Sequence, residues 1–219
     1  MKRKNLFLLV SAGLLLTLNV MQAQTVKDAD GNVYASTTIG KQVWLVENLK
    51  TTKYNDGTPI PLVTKDNAWQ ELKTGAYCWL NNDIKNKDIS GALYNWYTVT
   101  TKKLCPKGWH VPSNDEWIEL TIFLGDKESA GAKLKETGTT HWKSLLNQGT
   151  NEFDFTAVPS GLRLTSGLFP EFGSGRSVWW SSTGTTTDAW NRGLSFDSDR
   201  LFKGDENLRY GFSVRCLKD

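Results

Sequence analysis

Twenty-six Lys and Arg stand against 23 Asp and Glu over 219 residues, and the excess of three lies wholly within the first 23 positions. The remaining 196 residues are balanced in charge, which excludes electrostatic capture of nucleic acid or of an anionic membrane. That length suits one large domain or two small ones and buries roughly 70% of the unfolded surface, and its ten Trp must be packing or ligand contacts.

Lys2, Arg3 and Lys4 form a basic segment, Leu6 to Val20 an apolar one, and Ala23 is a small residue where a signal peptidase could cut. Residues 1–23 therefore read as a signal peptide and 24–219 as a single domain. A retained anchor is the alternative, but the apolar run is short for a span. No Cys follows it directly to carry a lipid. The expectation is export to the periplasm, the cell surface or the medium, with no membrane span after cleavage.

Residues 28–50 read as a hairpin. Asp30-Gly31 is turn chemistry, Val33-Tyr34 begins a strand, and Ile39 to Gln42 separates it from Val43 to Val46. Asp28-x-Asp30 invites a calcium reading, but Gly31 comes too early for an EF-hand loop and no glutamate closes it, so a turn is preferred. Gly57, Pro59 and Pro61 make 51–75 mainly loop. Tyr77 to Leu80 is a short strand, and Gly91 to Tyr97 is strand or short helix.

The best-specified start follows at Leu104–Leu124. Pro112 biases Val111 towards extended backbone, and Ser113 with Glu116 forms an S-x-x-E capping box. Asp115 and Glu116 suit the positive end of a helix dipole. Trp117, Leu120 and Leu124 then recur at i, i+3 and i+7, with Ile118, Ile122 and Phe123 expected to widen the stripe and Gly125 to end it. Ala130 to Glu136 suggests a second helix stopped at Gly138. Phe153, Phe155 and Ala157 alternate with polar residues. Residues 161–210 are rich in Gly, Ser and Thr, with short strands expected at Val178–Ser182, Ala189–Phe196 and Gly211–Leu217. Such a stretch is where a binding surface is usually built.

The ordered segments GNVY, IGKQVWLVENLKT, YNDGTPIP, GAYCW, GALYNWYTV, LCPKGWHVPSNDEW and GFSVRCLKD resemble the Fibrobacter succinogenes major paralogous domain over about residues 28–218. That family occurs in exported bacterial proteins without an established activity. CPKGWHVPSNDEW, VWWSS and GFSVRC also look like the C-terminal half of the sulfatase-modifying and C-type-lectin-like superfamily. The resemblance implies an α+β, C-type-lectin-like fold: a twisted, mainly antiparallel sheet, one or two main helices and a long loop region.

Three Cys in an exported chain suggest one disulfide and one residue left over. Cys105 and Cys216 occupy positions that are bridged in lectin-like folds, and closing so long a loop stabilises by roughly 5 kcal/mol. Cys78, between Tyr77 and Trp79, reads as buried and inert. His110 and His141, without a clustered third ligand, give no zinc spacing. The paired copper-binding Cys of formylglycine-generating enzymes and the contiguous calcium motifs of sugar-binding lectins are not recognisable. No cofactor is therefore expected; calcium is possible, but no motif announces it.

Asp197, Asp199, Asp205 and Glu206 form the densest carboxylate group. It could serve glycoside hydrolysis or a hard cation, but it reads more readily as a solvated loop. Trp190 and Arg192, two apart, share one strand face, and Arg176 in the preceding loop could join them. Of Trp179 and Trp180, one must point inward. Arg176, Trp190, Arg192 and Asp199 are the candidate ligand contacts. The leading expectation is a non-catalytic binding or adhesion module for an extracellular glycan, peptide or protein surface. The alternative is a hydrolase or oxidase using carboxylates of 197–206.

Overall fold

The computed structural model describes residues 25–143, 148–171 and 175–219; the expected signal peptide lies outside them. β1 (Val26–Lys27) and β2 (Val33–Tyr34) pair across the Asp28–Gly31 turn. Asp28 Oδ1 accepts from the amides of Asp30 and Asn32, and its Oδ2 from the Tyr34 hydroxyl at 2.6 Å. Asp30 accepts from Thr51 and Thr52 and pairs with Lys53. The two carboxylates that invited a calcium reading are thus engaged by donors of their own chain.

β3 (Ser36–Ile39) and β4 (Gln42–Leu45) form the expected hairpin, turned by Gly40 in the left-handed region at φ 63°. α1 (Asp66–Gln70) interrupts the loop. β5 (Tyr77–Trp79) pairs with a later strand across α2 (Lys87–Ser90). Residues 91–97 turn out to be both strand and helix. β6 (Ala92–Tyr94) is followed by α3 (Trp96–Val99), whose first turn is capped by the Asn95 side chain.

β7 (Trp109–His110) leads into α4 (Asn114–Phe123). Ser113 Oγ accepts from the Glu116 amide at 3.2 Å, and Glu116 Oε2 accepts from the Ser113 amide at 2.7 Å, completing the capping box. Trp117, Leu120 and Leu124 are buried, but Ile118, Ile122 and Phe123 are 38%, 70% and 49% exposed. The buried stripe is narrow because Ile118 and Ile122 lie roughly 100–140° round the helix from Trp117. α5 (Ala130–Leu134) stops earlier than expected, since Lys135 turns extended and Glu136 bonds to the Ala157 carbonyl. The Phe153–Ala157 alternation makes no strand; Asn151, Asp154 and Thr156 all adopt positive φ.

β8 (Arg176–Gly184), β9 (Asp188–Ser195) and β10 (Ser198–Asn207) form an antiparallel sheet in the order β10-β9-β8. The stretch read as a solvated acidic loop is therefore a strand. β11 (Leu217–Lys218) joins β3, β4 and β7, while Phe212 and Ser213 make single bridges where a longer strand was expected. Trp179 and Trp180 are both wholly buried because β8 runs between two cores. Trp179 packs with Trp44, Trp117 and Phe155, whereas Trp180 lies 4.4 Å from Phe212. Cys105 and Cys216 are bonded, with Cα atoms 6.0 Å apart, and Cys78 is free and buried.

Candidate functional site

Strand alternation sorts the residues of the β8–β9–β10 sheet onto two faces. Arg176 opposite Ser195, Val178 opposite Gly193 and Trp180 opposite Asn191 share one face. On β10, Phe202 stands opposite Gly193 and Gly204 opposite Asn191, extending that face. It forms the floor of a groove of about 410 Å³, walled from outside the sheet by Leu162, Leu164, Tyr210 and Phe212. The floor is low because two of its positions are glycine. A Cβ built on Gly193 meets nothing closer than the Ser177 carbonyl at 3.4 Å, so nothing else fills that space. Asn191, only 7% exposed, lies between Gly193 and Gly204.

Charge enters the groove from its ends. Asp197 accepts from the Ser195 hydroxyl, and that bond, with the nearby Arg176 guanidinium, holds its carboxyl below the usual range. At the other end burial, reinforced by the charge of Asp205, raises the Glu206 carboxyl above its usual value. Burial and then Glu206 raise the Tyr210 phenol in turn. Lys203 borders the groove, but its ammonium lies over the Trp190 ring on the other face.

The candidate contacts divide between the faces. Arg176 lines the groove with Asp197 and Glu206. Trp190 and Arg192 do share a face, but it is the opposite one, towards α4. Lys203 Nζ lies 4.1 Å from the centre of the Trp190 ring. Arg192 is 2% exposed; it donates to the Asn191 carbonyl and Asn114 Oδ1, and burial lowers its pKa to about 10. It sits at the base of a smaller cleft, about 320 Å³, beside Ile118, Ile122, Lys127 and Arg200. Asp199 packs against α5, where a Cβ on Gly131 would fall 2.6 Å from the Asp199 carbonyl. Sequence reasoning missed Asn191, Gly193, Phe202 and Gly204. Their signal was the alternation Phe202, Gly204, Glu206 within a stretch whose acidity suggested a loop.

Among the described residues no group of three His, Cys, Asp or Glu is placed to hold a metal ion. The molecule is thus an α+β domain of small antiparallel sheets and short helices, closed by one disulfide and grooved on its three-stranded sheet. The Fibrobacter succinogenes major domain matches residues 37–218, and the chain belongs to that family. No curated protein matches it. No solved structure matches it.

Proposed function

We propose that the chain is an exported, non-catalytic binding or adhesion module, and that its ligand occupies the groove of β8, β9 and β10. The observation that carries this reading is a concave face holding aromatic rings, charges of both signs and a floor lowered at two glycine positions. Export is supported by a disulfide, a bond that persists in oxidising compartments. A C-type-lectin-like arrangement is supported by that same bond, which fastens the last strand to the segment leading into α4.

The enzymatic alternative needs two carboxylates within a few ångströms of one bond. Asp197 follows Ser195, whereas Glu206 stands opposite Ala189, so the two are separated by six positions along β9. At 3.3 Å per residue that is about 20 Å of backbone, well past the roughly 5–10 Å at which carboxylate pairs cleave glycosides. Asp205 belongs to the other face by alternation. This spacing favours binding over hydrolysis.

The test is a glycan and peptide array probed with residues 24–219, with and without calcium. Retention of one ligand class above background, without cleavage of it, is expected. No retained ligand, or release of cleaved product, counts against the reading.

A further inference from the structure

We infer that the groove takes a neutral carbohydrate chain, anchored by the Asn191 side-chain amide and stacked on the Phe202 ring; the inference rests on the groove being the binding face. Asn191 Nδ2 is buried and has no hydrogen-bond partner among the described residues. A buried donor left unpaired costs free energy unless an acceptor meets it. Asn191 lines the groove, and Gly193, two positions along β9, and Gly204, across on β10, place no side chain between it and that space. A turn of the side chain therefore brings the amide to an acceptor there. A Cβ on Gly204 would come within 3.2 Å of Asn191 Oδ1, so even one methyl there presses on the amide.

The surroundings select the ligand's chemistry. Phe202 is 38% exposed, and the half-buried Tyr210, backed by the buried Phe212 at 5.3 Å, continues the ring surface. A sugar ring offers an apolar C–H face to such rings and hydroxyl or ring oxygens to an amide donor, both within one residue of the chain. Within the groove the Arg176 guanidinium stands against the Asp197 and Glu206 carboxylates, so the groove has no excess of positive charge with which to hold a polyanion. An extended peptide docks most readily on a free strand edge, where backbone meets backbone. This groove lies over β9, whose two edges are already paired to β8 and β10. Recognition must therefore run through side chains.

The experiment measures retention of residues 24–219 by affinity electrophoresis in a soluble β-glucan, a mannan, a xylan and anionic alginate, with an extended-peptide library on an array beside them. Gly193→Val raises the floor from a Cβ position in ordinary contact with its neighbours, and Asn191→Ala removes the amide. Asn191→Ser serves if the alanine variant fails to fold by circular dichroism. The expected result is retention by at least one neutral polysaccharide, abolished in Gly193→Val and weakened about tenfold in the Asn191 variant, the effect of one well-made hydrogen bond. Unchanged affinity in the Asn191 variant overturns the anchor. Ligands found only among alginate or peptides, and lost in Gly193→Val, overturn the carbohydrate inference while leaving the groove as the binding face. Binding indifferent to Gly193→Val overturns both, and no retention by any polysaccharide overturns the inference.

Discussion

Arg215 donates to a single oxygen of Asn48, Oδ1, through both Nε at 3.3 Å and Nη2 at 2.9 Å, with both residues out of reach of solvent. Nη1 donates to the Phe155 carbonyl, and the guanidinium lies 4.1 Å from the centre of the Phe155 ring. Burial lowers the Arg215 pKa to about 9. The same Asn48 oxygen accepts from Trp179 Nε1 at 2.8 Å. One side chain just past β4 thus satisfies the last segment of the chain and the strand between the two cores.

Removing that oxygen leaves a buried cation and an indole N–H unpaired. Asn48→Leu is expected to cost about 3–5 kcal/mol in denaturant unfolding, the range for breaking a buried charged contact on one side. Asn48→Leu combined with Arg215→Met should recover most of the loss. A cost below about 1 kcal/mol for the single variant contradicts this role.

The start of α4 separates two kinds of stabilisation. Ser113→Ala deletes the cap acceptor of the Glu116 amide and should cost about 1 kcal/mol. Trp117→Ala empties a site with ring neighbours Trp44 and Trp179 at 4.8 and 6.2 Å, and should cost about 3–5 kcal/mol. Equal costs for the two variants would mean that Trp117 is not a core residue.

His110 ties α4 to Asp219. Its Nδ1 lies 2.6 Å from Asp219 Oδ1 and its Nε2 2.9 Å from Glu116 Oε1. Burial lowers the imidazole pKa, but the bonds to the two carboxylates outweigh it and leave it above 6.5. A pKa raised on folding gives stability that is complete below the unfolded value and is lost as pH climbs through the folded one. Burial raises Glu116, but the Ser113 and His110 bonds outweigh it and leave it below 4.5. Its share is therefore complete above 4.5 and lost as pH falls through the folded value. The stability difference between wild type and His110→Gln should be greatest between these unfolded values and shrink at higher pH. A difference that stays constant up to pH well above the imidazole range rules the clamp out.

Thiol chemistry should distinguish the three Cys. Unreduced, denatured protein is expected to yield one reactive thiol, and reduced protein three. In the native state Cys78 should resist alkylation at neutral pH, because burial pushes its thiol up to about 12. Reduction should lower stability by about 5 kcal/mol, from opening a loop with a sequence separation of 111. Rapid native alkylation of Cys78 would contradict its burial.

The legibility of the fold varied with how local its causes are. Pro112, Ser113 and Glu116 act on neighbouring amides, and the helix begins where they place it. The Cys105–Cys216 pairing came through the resemblance and is present. β10 was hidden because its register shifts between Ser198 and Phe202, which breaks the period-two pattern around Asp199, and because Asp205 and Glu206 put charge on both faces of its far end. Trp179 and Trp180 defied a one-sided reading because a strand covered on both faces needs no polar alternation. Arg176 reached the groove as a candidate contact, but the side of the sheet taken by Trp190 and Arg192 depends on cross-strand register, which no single segment encodes.

The central claim is that ligand binds on the β8–β9–β10 groove and not on the α4 face with Arg192. The measurement that tests it most directly compares array binding of wild type, Gly193→Val and Ile122→Glu. Ile122 is 70% exposed beside the smaller cleft, so glutamate there alters that face without disturbing the core. Signal lost in Gly193→Val and kept in Ile122→Glu is the predicted result. Signal kept in Gly193→Val and lost in Ile122→Glu would move the binding face to α4 and contradict the account.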